Sequence, residues 1–192
     1  LPFSSKISDV KKDKEYDAYV LENEYVKVTL LPSIGGKINS IVDKISGEDI
    51  IYHNKVIKPA MVGLCGPWVS GGIEFNWPQH HRPTTFMNVY SKQFVDNVTM
   101  GEVDNFFHMH GSVSISIEEG SSLVKAHVRV FNSTPNYQRF MFWSNTAVEI
   151  NDEYAVVFPS DVNYVNDHDR RAVLSYPIAK GTYHSVRPWD YK

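Results

Sequence analysis

The fold is decided by two neighbouring segments, SVSISI at residues 112–117 and VKAHVRV at residues 124–130. In both segments apolar residues alternate with polar ones, which is the pattern of β-strands that bury one face. The residues Gly120-Ser121-Ser122 between them favour a turn, so the two segments predict a β-hairpin. We expect this hairpin, from Ser112 to Phe131, to lie in the core sheet of the protein.

Other parts of the chain carry the same signal. Residues 26–30 and 38–42 alternate in the same way, and the turn sequence PSIGG at residues 32–36 separates them. The apolar runs at residues 140–143 and 154–158 predict two further strands. No segment has an apolar stripe of helical period and length. Short strands divided by turns predict an all-β fold, an antiparallel sandwich or barrel.

The composition is that of a globular domain and excludes several classes of function. The chain has 192 residues, so we expect a lead-in segment over residues 1–15 and a single β-sandwich domain over residues 16–192. The formal charge of -3 argues against a nucleic-acid partner. No apolar run is long enough to predict a membrane span. The sequence leaves the localisation of the protein open.

The densest cluster of chemical groups is the segment from Trp68 to Arg82, WVSGGIEFNWPQHHR. It is rich in Pro and Gly but too aromatic for a linker, so we interpret it as a long ordered functional loop. Sugars expose C–H faces that pack on aromatic rings and hydroxyls that pair with carboxylates, amides and guanidinium groups. The segment therefore predicts a carbohydrate site. The alternative is a rigid loop held by an ion pair between Glu74 and Arg82.

Within this segment the candidate catalytic residues are Glu74 and His81. Glu74 is the candidate base or hydroxyl acceptor, and Asn76 shares its face in extended backbone. Only one of the two adjacent histidines can face the same way, and we favour His81, with Arg82 adding a hydrogen bond from the rim. The Gly71-Gly72 pair would let the backbone approach a ligand closely. The candidate substrate-binding residues of this segment are Trp68, Asn76, Trp77, His80 and Arg82.

Three other features are weaker. His108 and His110 would share a face of a strand and bind one metal ion together, but no third ligand lies nearby, so we predict no metal or cofactor. The stretch around His168, Asp169 and Arg170 is either a set of sugar-binding groups or a charged turn. The single cysteine, Cys65, excludes an internal disulfide and lies among apolar residues, which predicts a buried structural thiol.

Several longer motifs resemble a known family. LPSIGGKINSI at residues 31–41 resembles the opening strand pair of galactose mutarotase-like proteins. PWVSGGIEFNWPQHHRPTT at residues 67–85 is similar to the hallmark of one branch of that superfamily, the DUF5107 family. FWSNTAVEIND at residues 142–152 and VNDHDRRA at residues 165–172 also resemble that branch.

The resemblance implies a β-supersandwich and carbohydrate recognition, and it adds Trp143 and Asn145 to the substrate-binding candidates. Mutarotases use a histidine acid and a glutamate base, and the base comes from near the C-terminal end of a longer domain. The chain is therefore expected to be the N-terminal portion of such a domain, without that base. The region similar to the strand with the acid histidine carries Trp143, Ser144 and Asn145. Glu74 with His80 or His81 would have to substitute for the familiar pair.

Three functions remain open at this point. The first, which we predict, is a carbohydrate-binding domain of a sugar-processing protein. The second is an enzyme, either an aldose 1-epimerase or a glycoside hydrolase that uses Glu74 and a histidine. The third is a structural or assembly module whose exposed aromatic residues meet another chain. We also expect open sheet edges, covered by a second copy or by the remainder of a larger chain.

Overall fold

The computed structural model describes residues 8, 10–58, 60–61, 67–78, 80–167 and 172–176. All regular structure in this part of the chain is β, and none of it forms a helix long and apolar enough to cross a membrane. The strands are β1 (Tyr19–Glu22), β2 (Val26–Leu31), β3 (Lys37–Asp43), β4 (Ala60–Met61), β5 (Pro67–Trp68), β6 (Ile73–Asn76), β7 (Tyr90–Gln93), β8 (Asn97–Val103), β9 (Met109–Ile117), β10 (Val124–Asn132), β11 (Trp143–Thr146), β12 (Tyr164–Asp167) and β13 (Ala172–Ser175).

The chain divides into two compact units, residues 1–149 and residues 150–192. The first unit contains β1 to β11 and the second contains β12 and β13. In the second unit β12 and β13 form an antiparallel hairpin, with Tyr164 opposite Ser175. The single domain predicted over residues 16–192 stays a prediction.

Two antiparallel sheets form the first unit. The five-stranded sheet has the order β1-β2-β3-β6-β11, the four-stranded sheet has the order β10-β9-β8-β7, and β4 pairs separately with β5. Buried side chains from the two larger sheets form one core, among them Val28, Leu30, Ile38 and Phe75 from the first sheet and Val98, Met100, Val113 and Ile115 from the second. Because two open sheets share one core, the fold is an antiparallel β-sandwich, which confirms the predicted class.

The predicted hairpin is present as β9 and β10 at one edge of the four-stranded sheet. Its register pairs Val113 with Val128 and Ser112 with Arg129. Val113 and Ile115 are buried in the core, and the serines that alternate with them lie on the opposite face. The alternation that is visible in the sequence is therefore the alternation between the core and the outer face of this sheet.

Two predicted strands differ from the structure. Residues 154–158 form no strand, and the ring of Phe158 instead packs against Tyr176 with centroids 4.9 Å apart. The run at residues 140–143 only reaches the start of β11, which begins at Trp143. Before Trp143 the pairing continues only as one hydrogen bond, from the backbone N–H of Met141 to the carbonyl of Pro78 at 2.5 Å, because a proline has no N–H to donate in return. An apolar run forms a strand only where a neighbour accepts its backbone hydrogen bonds.

The PSIGG turn at residues 32–36 holds the loop that follows β6. The backbone N–H of Gly35 donates to the carbonyl of Met87 at 2.7 Å, and that of Val89 donates to Pro32 at 3.0 Å. A Cβ atom on Gly35 would lie 2.6 Å from the backbone of Thr85. Only glycine permits this approach, and the approach fixes residues 80–89 beside the five-stranded sheet.

Candidate functional site

The candidate site is built on β6. Phe75 points into the core and is buried, so Glu74 and Asn76 point to the outer face of the five-stranded sheet. This is the shared face that the alternation predicts for these two residues. Although they point to the outer face, both residues are almost completely buried: Glu74 is 5% exposed and Asn76 is 0% exposed.

Both oxygen atoms of the Glu74 carboxylate are held by ring nitrogens. The indole Nε1 of Trp68, on β5, donates to Oε2 at 2.7 Å. The Nδ1 atom of His81 lies 2.9 Å from Oε1. A carboxylate buried to this degree needs such partners, because taking an unpaired charge out of water is costly. Trp68 and His81 therefore fix the position of the carboxylate.

The two adjacent histidines take different places. His81 is half-buried and packs edge-on against Trp143, with ring centroids 4.6 Å apart, and more loosely against Trp68 at 6.2 Å. His80 is exposed, and its ring lies 5.2 Å from that of His81. Of the two, His81 is the one that contacts Glu74, whereas strict alternation from Glu74 would place His80 on that face.

A cavity of about 250 Å³ opens beside Glu74. Strand β11 pairs with β6 in a register that sets Asn145 opposite Glu74 and Trp143 opposite Asn76. The cavity is lined by Tyr52, Trp68, Ser70, Gly71, Gly72, Glu74, Asn145 and Ala147. It therefore joins a carboxylate, an amide and two aromatic rings, which is the mixture of groups expected of a sugar site.

Two residues of the site were missed in the sequence. Lys37 at the start of β3 is buried, and its ammonium group donates to the carbonyls of Val69 and Ser70 at 3.3 and 3.5 Å. Burial lowers the pKa of Lys37 from 10.5 to about 8, and the nearby charge of Glu74 acts in the opposite direction. The signal for it was a lysine directly after two glycines, at the start of a strand. Tyr52, which lines the cavity, offered no local signal.

Gly71 and Gly72 have a structural role that differs from the one expected. Both have positive φ, 89° and 70°. A Cβ atom on Gly72 would lie 2.2 Å from the carbonyl oxygen of Ile38, and one on Gly71 would lie 2.9 Å from the backbone of His53 and Asn54. The two glycines line the cavity, but the close approach that they permit is between backbone segments of the protein itself.

The predicted place of Arg82 at the rim is corrected by the structure. Arg82 is 3% exposed, and its guanidinium donates to the carbonyls of Phe75 at 2.8 Å and Gly35 at 2.6 Å. It forms its ion pair with Glu102 on β8 at 3.1 Å, not with Glu74. Burial lowers the pKa of Arg82, and the charge of Glu102 opposes that shift. Arg82 therefore joins the two sheets rather than facing a ligand.

Trp77 and Asn76, both predicted to bind substrate, also belong to the interior. Trp77 is 2% exposed, its ring stacks on Phe142, and the Arg82 guanidinium lies 4.1 Å from the ring centroid. A Cβ atom on Gly111 would collide with the indole, so the ring lies directly on that glycine. Asn76 accepts a hydrogen bond from the backbone N–H of Arg82 at 3.1 Å. These contacts hold the loop in place.

His108 and His110 do not share a strand face. β9 begins at Met109, and His108 lies between the turn at residues 105–107 and this strand, with a φ of 53°. The premise of a His-x-His metal pair therefore fails at this position. The described residues contain no group of three or more potential metal ligands. His168, Asp169, Arg170 and Cys65 lie outside the described residues.

The comparisons with known proteins give a family and a structural neighbour. The chain matches the family described as a domain of unknown function, DUF5107, over residues 2–187. It is also similar to a TPR-domain containing protein from Parabacteroides distasonis ATCC 8503, whose crystal structure aligns with a TM-score of 0.69 and 31% sequence identity. The similarity covers 75% of this chain and 26% of that one, so this chain spans only a part of its neighbour's length.

Proposed function

Because the chain belongs to the DUF5107 family, whose description leaves the function open, we propose from its site that it is a carbohydrate-binding domain. We propose further that its sandwich is of the galactose mutarotase-like kind. The observation that carries the proposal is the buried Glu74 carboxylate, held by Trp68 and His81 at the wall of a cavity of about 250 Å³.

The Glu74 carboxylate has capacity left for a ligand. An ionised carboxylate has about four acceptor positions on its two oxygens, and Trp68 and His81 take one on each oxygen. Two neighbouring hydroxyls of a sugar would bind the remaining positions. Because the surroundings are shielded from water, such hydrogen bonds to a charged acceptor would be strong.

The rest of the cavity suits the other parts of a sugar. Asn145 stands opposite Glu74 on the neighbouring strand and offers both a donor and an acceptor. Tyr52 and Trp68 supply flat faces for the C–H groups of a pyranose ring. Glu74, Asn145 and Trp68 lie on paired strands, and the backbone of Tyr52 is hydrogen-bonded to Ala147 and Gly72, so the site would change little when a ligand binds.

A second candidate function is acid/base chemistry on a sugar. The pair of Glu74 and His81, 2.9 Å apart, resembles the arrangement in which one group orients another for proton transfer. An aldose 1-epimerase would use this pair to move the proton of the anomeric hydroxyl, and a glycoside hydrolase would use it on the glycosidic oxygen. Polarimetry on a freshly dissolved anomer separates epimerase activity from binding alone.

A module that meets another chain is the third candidate. Large apolar side chains are exposed from the end of β10 onward, including Phe131, Tyr137 and Met141. Exposed apolar residues in a group are typical of surfaces that contact a partner. The structural neighbour is a much longer chain, which supports the idea that such a β-sandwich serves as one part of a larger protein. Light scattering on the purified chain would detect a homo-oligomer.

Calorimetric titration with a panel of mono- and disaccharides tests the main proposal. We expect at least one sugar to bind wild-type protein and Glu74→Gln to weaken it by about 1–3 kcal/mol, roughly 5- to 150-fold. Glu24→Gln is the matched control, because Glu24 is an exposed carboxylate outside the cavity. Equal affinity of wild type and Glu74→Gln, or no binding of any sugar, would contradict the proposal.

A further inference from the structure

The outer face of the four-stranded sheet carries a second groove, on the opposite side of the sandwich from Glu74. Its volume is about 470 Å³, within the range of small-molecule sites in proteins. Residues from all four strands line it. The groove belongs entirely to the first unit of the chain.

The strand register explains the shape of the groove. Tyr90, Gly101, Ser112 and Arg129 stand side by side in one row across β7, β8, β9 and β10. Neighbouring strands are about 4.8 Å apart, so the backbone at Tyr90 and at Arg129 is separated by roughly 14 Å. The two middle positions carry small side chains and the two outer positions carry long ones. Gly101 and Ser112 therefore form the floor of the groove, and the longer side chains of Tyr90 and Arg129 form its two ends.

Aromatic rings form the walls. Tyr90 is 81% exposed, Phe131 is 57% exposed and Phe94 is 46% exposed, and all three line the groove. The ring of His110 packs edge-on against Phe131 with centroids 6.0 Å apart. Three large exposed rings around one depression are uncommon on a sheet face that meets only water, and flat apolar walls suit a ring-shaped ligand.

The charges of the groove are unbalanced. Lys92 and Arg129 line it, and neither forms an ion pair with any other residue that the structure describes. The carboxylate among the described lining residues is Glu102, and it is already engaged by Arg82 at 3.1 Å and by the hydroxyl of Thr84 at 2.7 Å. The remaining charge is positive, so an anionic ligand fits and a cationic one does not.

We propose that this groove binds a sugar acid, a pyranose that carries a carboxylate. Arg129 would take the carboxylate with two parallel hydrogen bonds, as guanidinium groups do. Tyr90 and Phe131 would pack on the C–H faces of the ring, and Ser112 on the floor would exchange a hydrogen bond with a hydroxyl. The proposal is independent of Glu74, because the two sites use different sheets and share no residue.

Calorimetry with sodium galacturonate and sodium glucuronate, beside galactose and glucose at equal ionic strength, tests this proposal. We expect each acid to bind more tightly than its neutral counterpart and to bind more weakly as salt is added. Arg129→Gln should weaken the acid by at least about tenfold, the effect of losing a charge-assisted pair. Tyr90→Ala, at a highly exposed position, should weaken it as well.

The control variant removes a different cation from β10, the strand that carries Arg129. Lys125 lies four residues before Arg129 on the same face of β10, outside the groove, so Lys125→Gln should bind like wild type. Glu74→Gln should also leave the acid bound, which keeps this result separate from the test of the carbohydrate site. The proposal is overturned if wild type binds neither acid, if galactose binds as tightly as galacturonate, or if Arg129→Gln and Tyr90→Ala both bind like wild type.

Discussion

The Nδ1 atom of His81 lies 2.9 Å from the Oε1 atom of Glu74, and this contact joins the loop after β6 to the strand itself. The next residue along the chain, Arg82, turns the other way and pairs with Glu102 on the second sheet. Two neighbouring residues of the loop thus contact two carboxylates, the buried Glu74 on one sheet and the half-buried Glu102 on the other. Glu74 lines the cavity, whereas Arg82 and Glu102 link the two sheets, so we expect both contacts to contribute to stability and only the first to bear on binding.

The two adjacent histidines provide a matched test of the first contact. His81→Phe should lower the free energy of unfolding by about 1–3 kcal/mol, because the buried oxygen of Glu74 loses its partner. His80→Phe should change it by less than about 0.5 kcal/mol, since His80 is exposed. Urea unfolding followed by tryptophan fluorescence measures both. A similar loss in the two variants would show that the contact with Glu74 contributes nothing to stability.

The ion pair between Arg82 and Glu102 should matter mainly for folding. Arg82→Met should cost about 3–5 kcal/mol, because it leaves the Glu102 carboxylate buried without its cation. Arg139→Met, at an exposed position, is the control and should cost little. Adding Glu102→Gln to Arg82→Met should recover part of the loss. If the double variant is less stable than Arg82→Met by the full cost of a second independent substitution, the two residues are not coupled.

The strands of the two sheets were accessible from the sequence because alternation is a local property, whereas the choice of His81 rested on a place for Arg82 that the structure corrects. Val113 and Ile115 point into the core and Ser112, Ser114 and Ser116 point away from it, because successive side chains of a strand point to opposite faces. The alternation also gave Glu74 and Asn76 one face. These predictions needed only the period of the strand and no knowledge of what packs against it.

The places of Arg82, Trp77 and Lys37 were not accessible in this way. Arg82 reaches Glu102 across the sandwich, and Trp77 lies on Gly111, so both depend on where the second sheet meets the loop. Lys37 follows two glycines and starts a strand, which marks it as unusual without naming its partners. Long-range packing decides whether a polar residue of a loop faces a ligand or the interior, and no local pattern encodes it.

The glycines of the chain offer a test of backbone packing. Gly72 and Gly47 both have positive φ, 70° and 77°, so alanine should cost about 1–2 kcal/mol at either position. At Gly47 no atom lies within 4 Å of the added Cβ, whereas at Gly72 the carbonyl oxygen of Ile38 lies 2.2 Å away. Gly72→Ala should therefore lose about a further 1–3 kcal/mol or more. Thermal unfolding followed by circular dichroism compares the two, and equal losses would contradict the close contact.

Lys37 should make the stability of the protein depend on pH in the alkaline range. Its pKa is about 8 in the folded protein against 10.5 for the ordinary group, because burial disfavours the charged form. The unfolded chain therefore binds more protons than the folded one between these values, and the free energy of unfolding rises with pH across that window. Below pH 8 both states hold the proton, so the cost of the buried charge is fully present there and the dependence vanishes.

The Lys37→Met variant isolates this contribution from all other titrating groups. Between pH 7.5 and pH 10 the wild type should gain about 2 kcal/mol relative to the variant, the fraction of the pKa difference that falls within this range. Lys27→Met, at an exposed position on β2, is the control and should follow the wild type at every pH. Urea unfolding at four or five pH values gives the curve for each protein. A constant difference in the free energy of unfolding between wild type and Lys37→Met across this range would contradict the prediction. It would show that Lys37 does not titrate there, and that burying its charged form beside the carbonyls of Val69 and Ser70 does not destabilise the protein.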